Sequence, residues 1–85
     1  MYYVYVLHSK KDGNLYTGLT SDLSKRFEEH NKGYVPSTKN RRPMNLIYYE
    51  ACLSEKDAMR RERYLKSGMG KKYLRNRLKD CLREL

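Results

Sequence analysis

The sequence predicts one mixed α/β (α+β) domain of three strands and three helices. Three observations carry that expectation. Two runs of aromatic and β-branched residues flank an Asp12-Gly13 turn, a third apolar run lies mid-chain, and apolar residues recur at helical spacing in three other segments. A chain of 85 residues suffices for one core and is too short to divide into two, so residues 1–85 are taken as a single domain.

Tyr2 to His8 and Leu15 to Leu19 read as the arms of a β-hairpin, with Asp-Gly as its turn signal. If Asp12 and Gly13 are the central turn residues, Lys11 pairs with Asn14 and Leu7 with Gly18. Tyr5 then shares a sheet face with Tyr16 and Gly18. Thr20-Ser21-Asp22 supplies helix-capping side chains and Asn31-Lys32-Gly33 a stop, which brackets a first helix from about Asp22 to Asn31. Leu23, Phe27 and His30 fall on one stripe of it, with Arg26 at the border.

Gly33 to Asn45 combines Gly, two prolines, Ser and Thr with the basic group Lys39-Asn40-Arg41-Arg42, and it reads as a long loop of the kind that carries function. Leu46 to Ala51 follows as a third strand, apolar enough for the centre of a sheet. Ser54-Glu55-Lys56-Asp57 opens a second helix with a variant capping box. On that helix Ala58 and Leu65 define the inward stripe, and Glu62 lies between them, about 40° from Ala58. A carboxylate therefore points where apolar groups belong. Ser67-Gly68-Met69-Gly70 breaks the helix, and Leu74, Leu78, Cys81, Leu82 and Leu85 mark a third amphipathic one.

The formal net charge is +9, a field suited to a polyanion, and the cations are spread through the folded domain rather than gathered in a tail. Nine tyrosines stand against one Phe and no Trp, and tyrosines among cations can stack on bases or bond to phosphates. Cys52 and Cys81 lack metal-ligand spacing and are expected to be reduced interior thiols. With no apolar run of membrane-spanning length and no signal peptide in view, the expectation is a soluble, cytoplasmic protein without a membrane partner.

Several motifs follow one another in order. Tyr3-Val4-Tyr5 lies on the first strand and Tyr16-Thr17-Gly18 on the second, followed by Leu19-Thr20-Ser21-Asp22-Leu23-Ser24-Lys25-Arg26. Further on come Glu28-Glu29-His30-Asn31, then Arg41-Arg42-Pro43, then the segment from Ala58 through Glu62 to Lys66. Together they resemble the GIY-YIG nuclease domain over nearly the whole chain, and look most like its small stand-alone, single-domain branch, which is related to the excision-repair nuclease. The resemblance implies a small three-stranded antiparallel sheet flanked by three helices, the GIY-YIG endonuclease fold, and a place in DNA repair. The first motif departs from the family pattern, with Tyr3 and Val4 in place of its glycine and isoleucine, but the chemically active tyrosine is kept at Tyr5.

By the same resemblance the catalytic group is Tyr5, Tyr16, Arg26, His30 and Glu62. Glu62 would hold one divalent metal, Mg²⁺ with Mn²⁺ as a substitute, completed by water and phosphate oxygens. Pairing of Glu62 with Arg26 or Arg61 accounts for an inward acid equally well. Tyr5 would take a proton from the attacking water, with its pKa lowered by nearby positive charge. Tyr16 would orient that water or bond to phosphate. Arg26 would fork onto the scissile phosphate, and His30 would relay a proton or bind phosphate, against the plainer reading of a packed imidazole. Gly18 would let backbone approach the active side chains closely. Asn76 is the one candidate in the last helix for the family's late asparagine.

Lys39, Arg41, Arg42, Lys66, Lys71, Lys72 and Arg75 are the expected nucleic-acid contacts. The expected function is metal-dependent hydrolysis of phosphodiester bonds in DNA, structure-directed or weakly specific, with RNA an alternative polymer. A second copy of the chain or a partner protein would supply targeting. The competing reading is a non-catalytic basic nucleic-acid-binding module on the same scaffold.

Overall fold

The computed structural model describes residues 1–85. Strands β1 (Tyr2–Ser9), β2 (Leu15–Thr20) and β3 (Met44–Cys52) form one antiparallel sheet in the order β2-β1-β3. Helices α1 (Leu23–Lys32), α2 (Glu55–Lys66), α3 (Gly68–Arg77) and α4 (Lys79–Glu84) surround it, and a short 3₁₀ turn spans Lys39–Arg41.

The centre of the sheet is β1, not β3. Val4, Tyr5, Val6 and Leu7 are at most 1% exposed, because β1 is paired on both edges and covered on both faces. The apolar run of β3 instead occupies an edge, where its residues are mostly half-buried. One extra residue at Ile47 shifts the β1–β3 register between Val6 and Leu7, so Ile47 and Tyr48 both pack on the face of Val4 and Val6 while Leu46 packs with Tyr5 and Leu7.

The hairpin register differs from the expected one by two residues: Tyr5 faces Gly18 and Leu7 faces Tyr16. The loop is longer than an Asp-Gly turn. Ser9 N–H donates to Asn14 O at 3.0 Å and Gly13 N–H to Ser9 O at 2.9 Å, with the Ser9 hydroxyl accepting from the amides of Lys11 and Asp12. A shift of two preserves side-chain direction, so Tyr5, Tyr16 and Gly18 remain on one face.

That face is covered by α1, whose Leu23 and Phe27 pack against Tyr5, Leu7 and Met44. Asp22 caps the helix by accepting from Lys25 N–H at 3.1 Å, and Gly33 closes it in the left-handed conformation, φ 82°. The other face holds Val4 and Val6 against Ala58 and Leu65 of α2, Leu74 of α3, and Leu78. Ser54 caps α2, and Ser67 ends α2 and caps α3 at once. The expected third helix is divided at Leu78, whose backbone leaves helical geometry while the flanking i to i+4 bonds persist. Cys52 and Cys81 are free and half-buried. No helix is long and apolar enough to cross a membrane.

Candidate active site

Gly18 fixes where the site lies. A Cβ at that position would come within 2.5 Å of Tyr5 Cζ, so only the missing side chain lets the Tyr5 ring lie across β2. The Tyr5 hydroxyl there shares a 2.8 Å hydrogen bond with Nε2 of His30, and Nδ1 of His30 shares one of 2.7 Å with the Thr38 hydroxyl. His30 and Thr38 are completely buried. The Tyr16 ring stands edge-on to His30, centroids 5.1 Å apart, and 6.5 Å from the Tyr5 ring.

Burial raises the Tyr5 pKa to about 12, with the charges of Tyr16 and Glu62 adding to the rise and Arg26 opposing it. Burial also lowers the His30 pKa to about 4, helped by the positive charge of Arg26 and opposed by Glu29. At neutral pH both groups are therefore uncharged, and the phenol keeps its proton. Arg26 sits at the solvent side of this pair. The neighbouring Tyr5 oxygen is the main cause raising its guanidinium pKa further above an already high value; Arg26 also pairs with Glu29 at 3.2 Å, and its side chain remains 38% exposed.

Glu62 pairs with neither arginine that could have explained it. Arg61 forks onto Glu50, with Nε to Oε1 and Nη2 to Oε2 both 2.9 Å, and lies over the rings of Tyr73 and Tyr64. Glu62 is 22% exposed and meets Lys66 one turn on, at 3.4 Å. No cluster of three acidic, His or Cys side chains exists in the fold. The donor set at Glu62 is thus one hard oxygen ligand next to open solvent, which fits a hard divalent cation that keeps most of its water.

The expected nucleic-acid contacts separate by environment. Arg41 is tied to Asp12 at 2.7 Å and Arg42 bonds the carbonyls of Lys39 and Asn31 at 2.8 and 3.5 Å, so both tie the long loop to the rest of the fold. Lys66 is engaged with Glu62. Lys39, Lys71, Lys72 and Arg75 are exposed and enter no ion pair. Asn76 lies on the outward side of α3, exposed, between the inward Leu74 and Leu78.

Thr38 is the member of this group that sequence reasoning passes over. A lone Thr in a polar loop carries no periodic or motif signal, and its role arises only because the loop folds back under α1. Asn31 helps to fix that path: its amide donates to Met44 O at 3.0 Å and its carbonyl accepts from Met44 N–H at 2.8 Å.

The chain matches the family model described as the GIY-YIG catalytic domain over residues 1–79. It is 43% identical over 67 residues to a UPF0213 protein of Clostridium perfringens (78% of this chain, 71% of that one). It is 39% identical over 75 residues to a UPF0213 protein of Staphylococcus aureus (87% and 90%). The solution NMR structure of the UPF0213 protein of Bacillus halodurans is similar at 38% identity and a TM-score of 0.54, over 87% of this chain and 82% of that one. With its hairpin tyrosines, helical arginine and lone carboxylate in this order, the chain belongs to the GIY-YIG domain family, a nuclease superfamily.

Proposed function

We propose that the protein is a metal-dependent endonuclease that hydrolyses phosphodiester bonds in DNA without strong sequence preference. The observation that carries the reading is the Tyr5 hydroxyl, bonded to His30 at 2.8 Å and within the electrostatic reach of both Arg26 and Glu62. Hydrolysis of a phosphodiester needs a proton acceptor for water, neutralisation of the phosphoryl oxygens, and charge stabilisation on the departing oxygen.

Glu62 is the residue that would hold a divalent cation, Mg²⁺ or Mn²⁺, which supplies Lewis-acid neutralisation of phosphate charge when bound. Arg26 presents an exposed guanidinium for the phosphate oxygens. Tyr5 accepts the proton of the attacking water as its own passes along the existing bond to Nε2 of His30, and Thr38 holds the far side of the imidazole. With Tyr5 at about 12 and His30 at about 4, that transfer is strongly uphill in the free protein. It becomes accessible only through charge placed nearer the attacking water than the imidazole, where it favours loss of the water proton more than it opposes the imidazolium. Tyr16 orients the water from its place beside His30.

The test is nicking of supercoiled plasmid and of flap or junction DNA with Mg²⁺ or Mn²⁺. Tyr5→Phe and Glu62→Ala are expected to lose activity, and full activity in both variants rejects the assignment. The same resting state also supports a second reading. A phenol and imidazole both neutral, and a carboxylate already paired with Lys66, suit a binding module that no longer cuts. Salt-sensitive DNA binding without cleavage under either metal would select it.

A further inference from the structure

Two recesses adjoin along the side of the domain where β2 meets α3, and they share Leu15 and Lys71. One, about 220 Å³, is bounded by Tyr16, Thr17, Leu65 and Lys66. It therefore opens beside the tyrosine of the candidate site and the lysine that pairs with Glu62. The other, about 400 Å³, continues to Asn14, Arg41, Arg75 and Leu82. No Asp or Glu lines either recess. The result is one groove that starts beside Tyr16 with a largely apolar lining and runs away from it towards the cations Arg41, Lys71 and Arg75.

The cations of this groove differ in kind. Arg41 is fixed, bonded to Asp12 at 2.7 Å and to the carbonyl of Leu15 at 3.5 Å. Lys71 and Arg75 are one helical turn apart on α3 and enter no ion pair. Helix α3 has four Lys and Arg residues and no acidic residue. Like charges at i and i+4 oppose helix formation by about 0.2–0.5 kcal/mol, and an anion bound between them reverses that sign. An ordinary solvated helix face would intersperse acids, as α2 does with Glu55, Asp57 and Glu62.

We propose that this groove carries the sugar-phosphate backbone of the nucleic acid flanking the candidate site, with Lys71 and Arg75 as its phosphate contacts. The inference rests on the nucleic-acid part of the proposed function and is independent of whether the protein cuts. A second basic recess, lined by Lys11, Lys39 and Arg42, is the alternative path. It shares no residue with the groove that reaches Tyr16, and the Arg42 guanidinium is occupied by main-chain carbonyls.

The experiment measures binding of a fluorescein-labelled DNA duplex in EDTA, by anisotropy across a salt series. The full chain is compared with Lys71→Ala/Arg75→Ala and with Lys11→Ala/Lys39→Ala, two variants of equal net charge. All four positions are exposed, and circular dichroism checks that both variants stay folded. The α3 variant is expected to lose about tenfold in affinity and to lower the salt slope by about two units, while the other keeps the parent slope within about half a unit. Equal or larger losses in the Lys11/Lys39 variant, an unchanged slope in the α3 variant, or no binding by the parent protein each overturns the proposal. Binding through Lys71 and Arg75 without cleavage under either metal sinks only the hydrolytic reading.

Discussion

The Tyr5 hydroxyl and Nε2 of His30 lie 2.8 Å apart inside the core, and burial holds both partners neutral, His30 by lowering its pKa from 6.5 to about 4. The sign of the stability effect follows. Unfolded His30 binds a proton below about pH 6.5, whereas folded His30 does not until about pH 4, so the unfolded state takes up more protons within that window. His30 therefore contributes stability above pH 6.5 that is lost as the pH falls towards 4. Urea denaturation between pH 7 and 4 is expected to show this decline, and His30→Gln should flatten it. An equally steep decline in the variant would assign the effect to other groups.

Thr38 decides which nitrogen of His30 carries the proton. A phenol is a better donor than an aliphatic hydroxyl, so Tyr5 is expected to donate to Nε2, and Nδ1–H to the Thr38 oxygen 2.7 Å away. Thr38→Val keeps the volume and removes the acceptor, which leaves a buried N–H unpaired at a cost of about 1–3 kcal/mol. Thr38→Ser should restore most of that stability. The ¹⁵N shifts of the His30 ring give a second readout, with the Nδ1–H tautomer in the parent and in Thr38→Ser. An Nε2–H tautomer in the parent protein contradicts the assignment.

Gly18 and Tyr5 are coupled by the missing Cβ. In Gly18→Ala the new methyl falls on the Tyr5 ring, and the ring must leave its place against His30, for an expected cost of about 1–3 kcal/mol. Tyr5→Leu removes the obstacle along with the hydroxyl, so Gly18→Ala should cost little in that background. A double-mutant cycle measures the difference. Additive losses would mean that Gly18 matters for the strand itself rather than for the ring.

Much of this geometry was legible because it is local. Strand alternation keeps Tyr5, Tyr16 and Gly18 on one face under any two-residue change of register, and helical periodicity alone turns His30 and Glu62 inward. The register itself depends on how Ser9 organises the loop, and no Asp-Gly rule encodes that. The edge position of β3 depends on which strand pairs twice, a long-range choice that an apolar run does not determine. Thr38 reaches His30 only through the fold of a long loop held by Asn31. Which cations of the basic surface also hold the fold together was not legible: Arg41 and Arg42 are engaged by Asp12 and by main-chain carbonyls, and charge counting cannot distinguish such residues from free ones.

Arg61 is a structural arginine whose loss should be felt without any substrate. Burial works to raise the pKa of Glu50, but the fork from Arg61 and the Tyr48 hydroxyl outweigh it and hold the carboxylate ionised. Arg61→Lys keeps the charge but loses the paired geometry and the contacts with Tyr73 and Tyr64. A loss of about 1–3 kcal/mol is expected in chemical denaturation. Arg60→Lys, at the exposed pair with Asp57, should change stability by less than about 0.5 kcal/mol. Equal effects at the two positions would remove the distinction between them.

Glu62 makes the opposite prediction, a small structural effect with a large chemical one. Its partner Lys66 is half exposed and the pair is one turn apart on α2, so Glu62→Gln should alter stability by no more than about 0.5 kcal/mol. The same variant should abolish cation binding, because no other acidic, His or Cys side chain completes a cluster there. Mn²⁺ added to ¹⁵N-labelled protein without DNA is expected to broaden amides of α2 and β2 around Glu62 selectively, and that broadening should vanish in Glu62→Gln. Lys66→Ala, which frees the carboxylate from its partner, should strengthen it. Broadening that persists in Glu62→Gln would place the cation elsewhere and leave Glu62 as a partner of Lys66 alone.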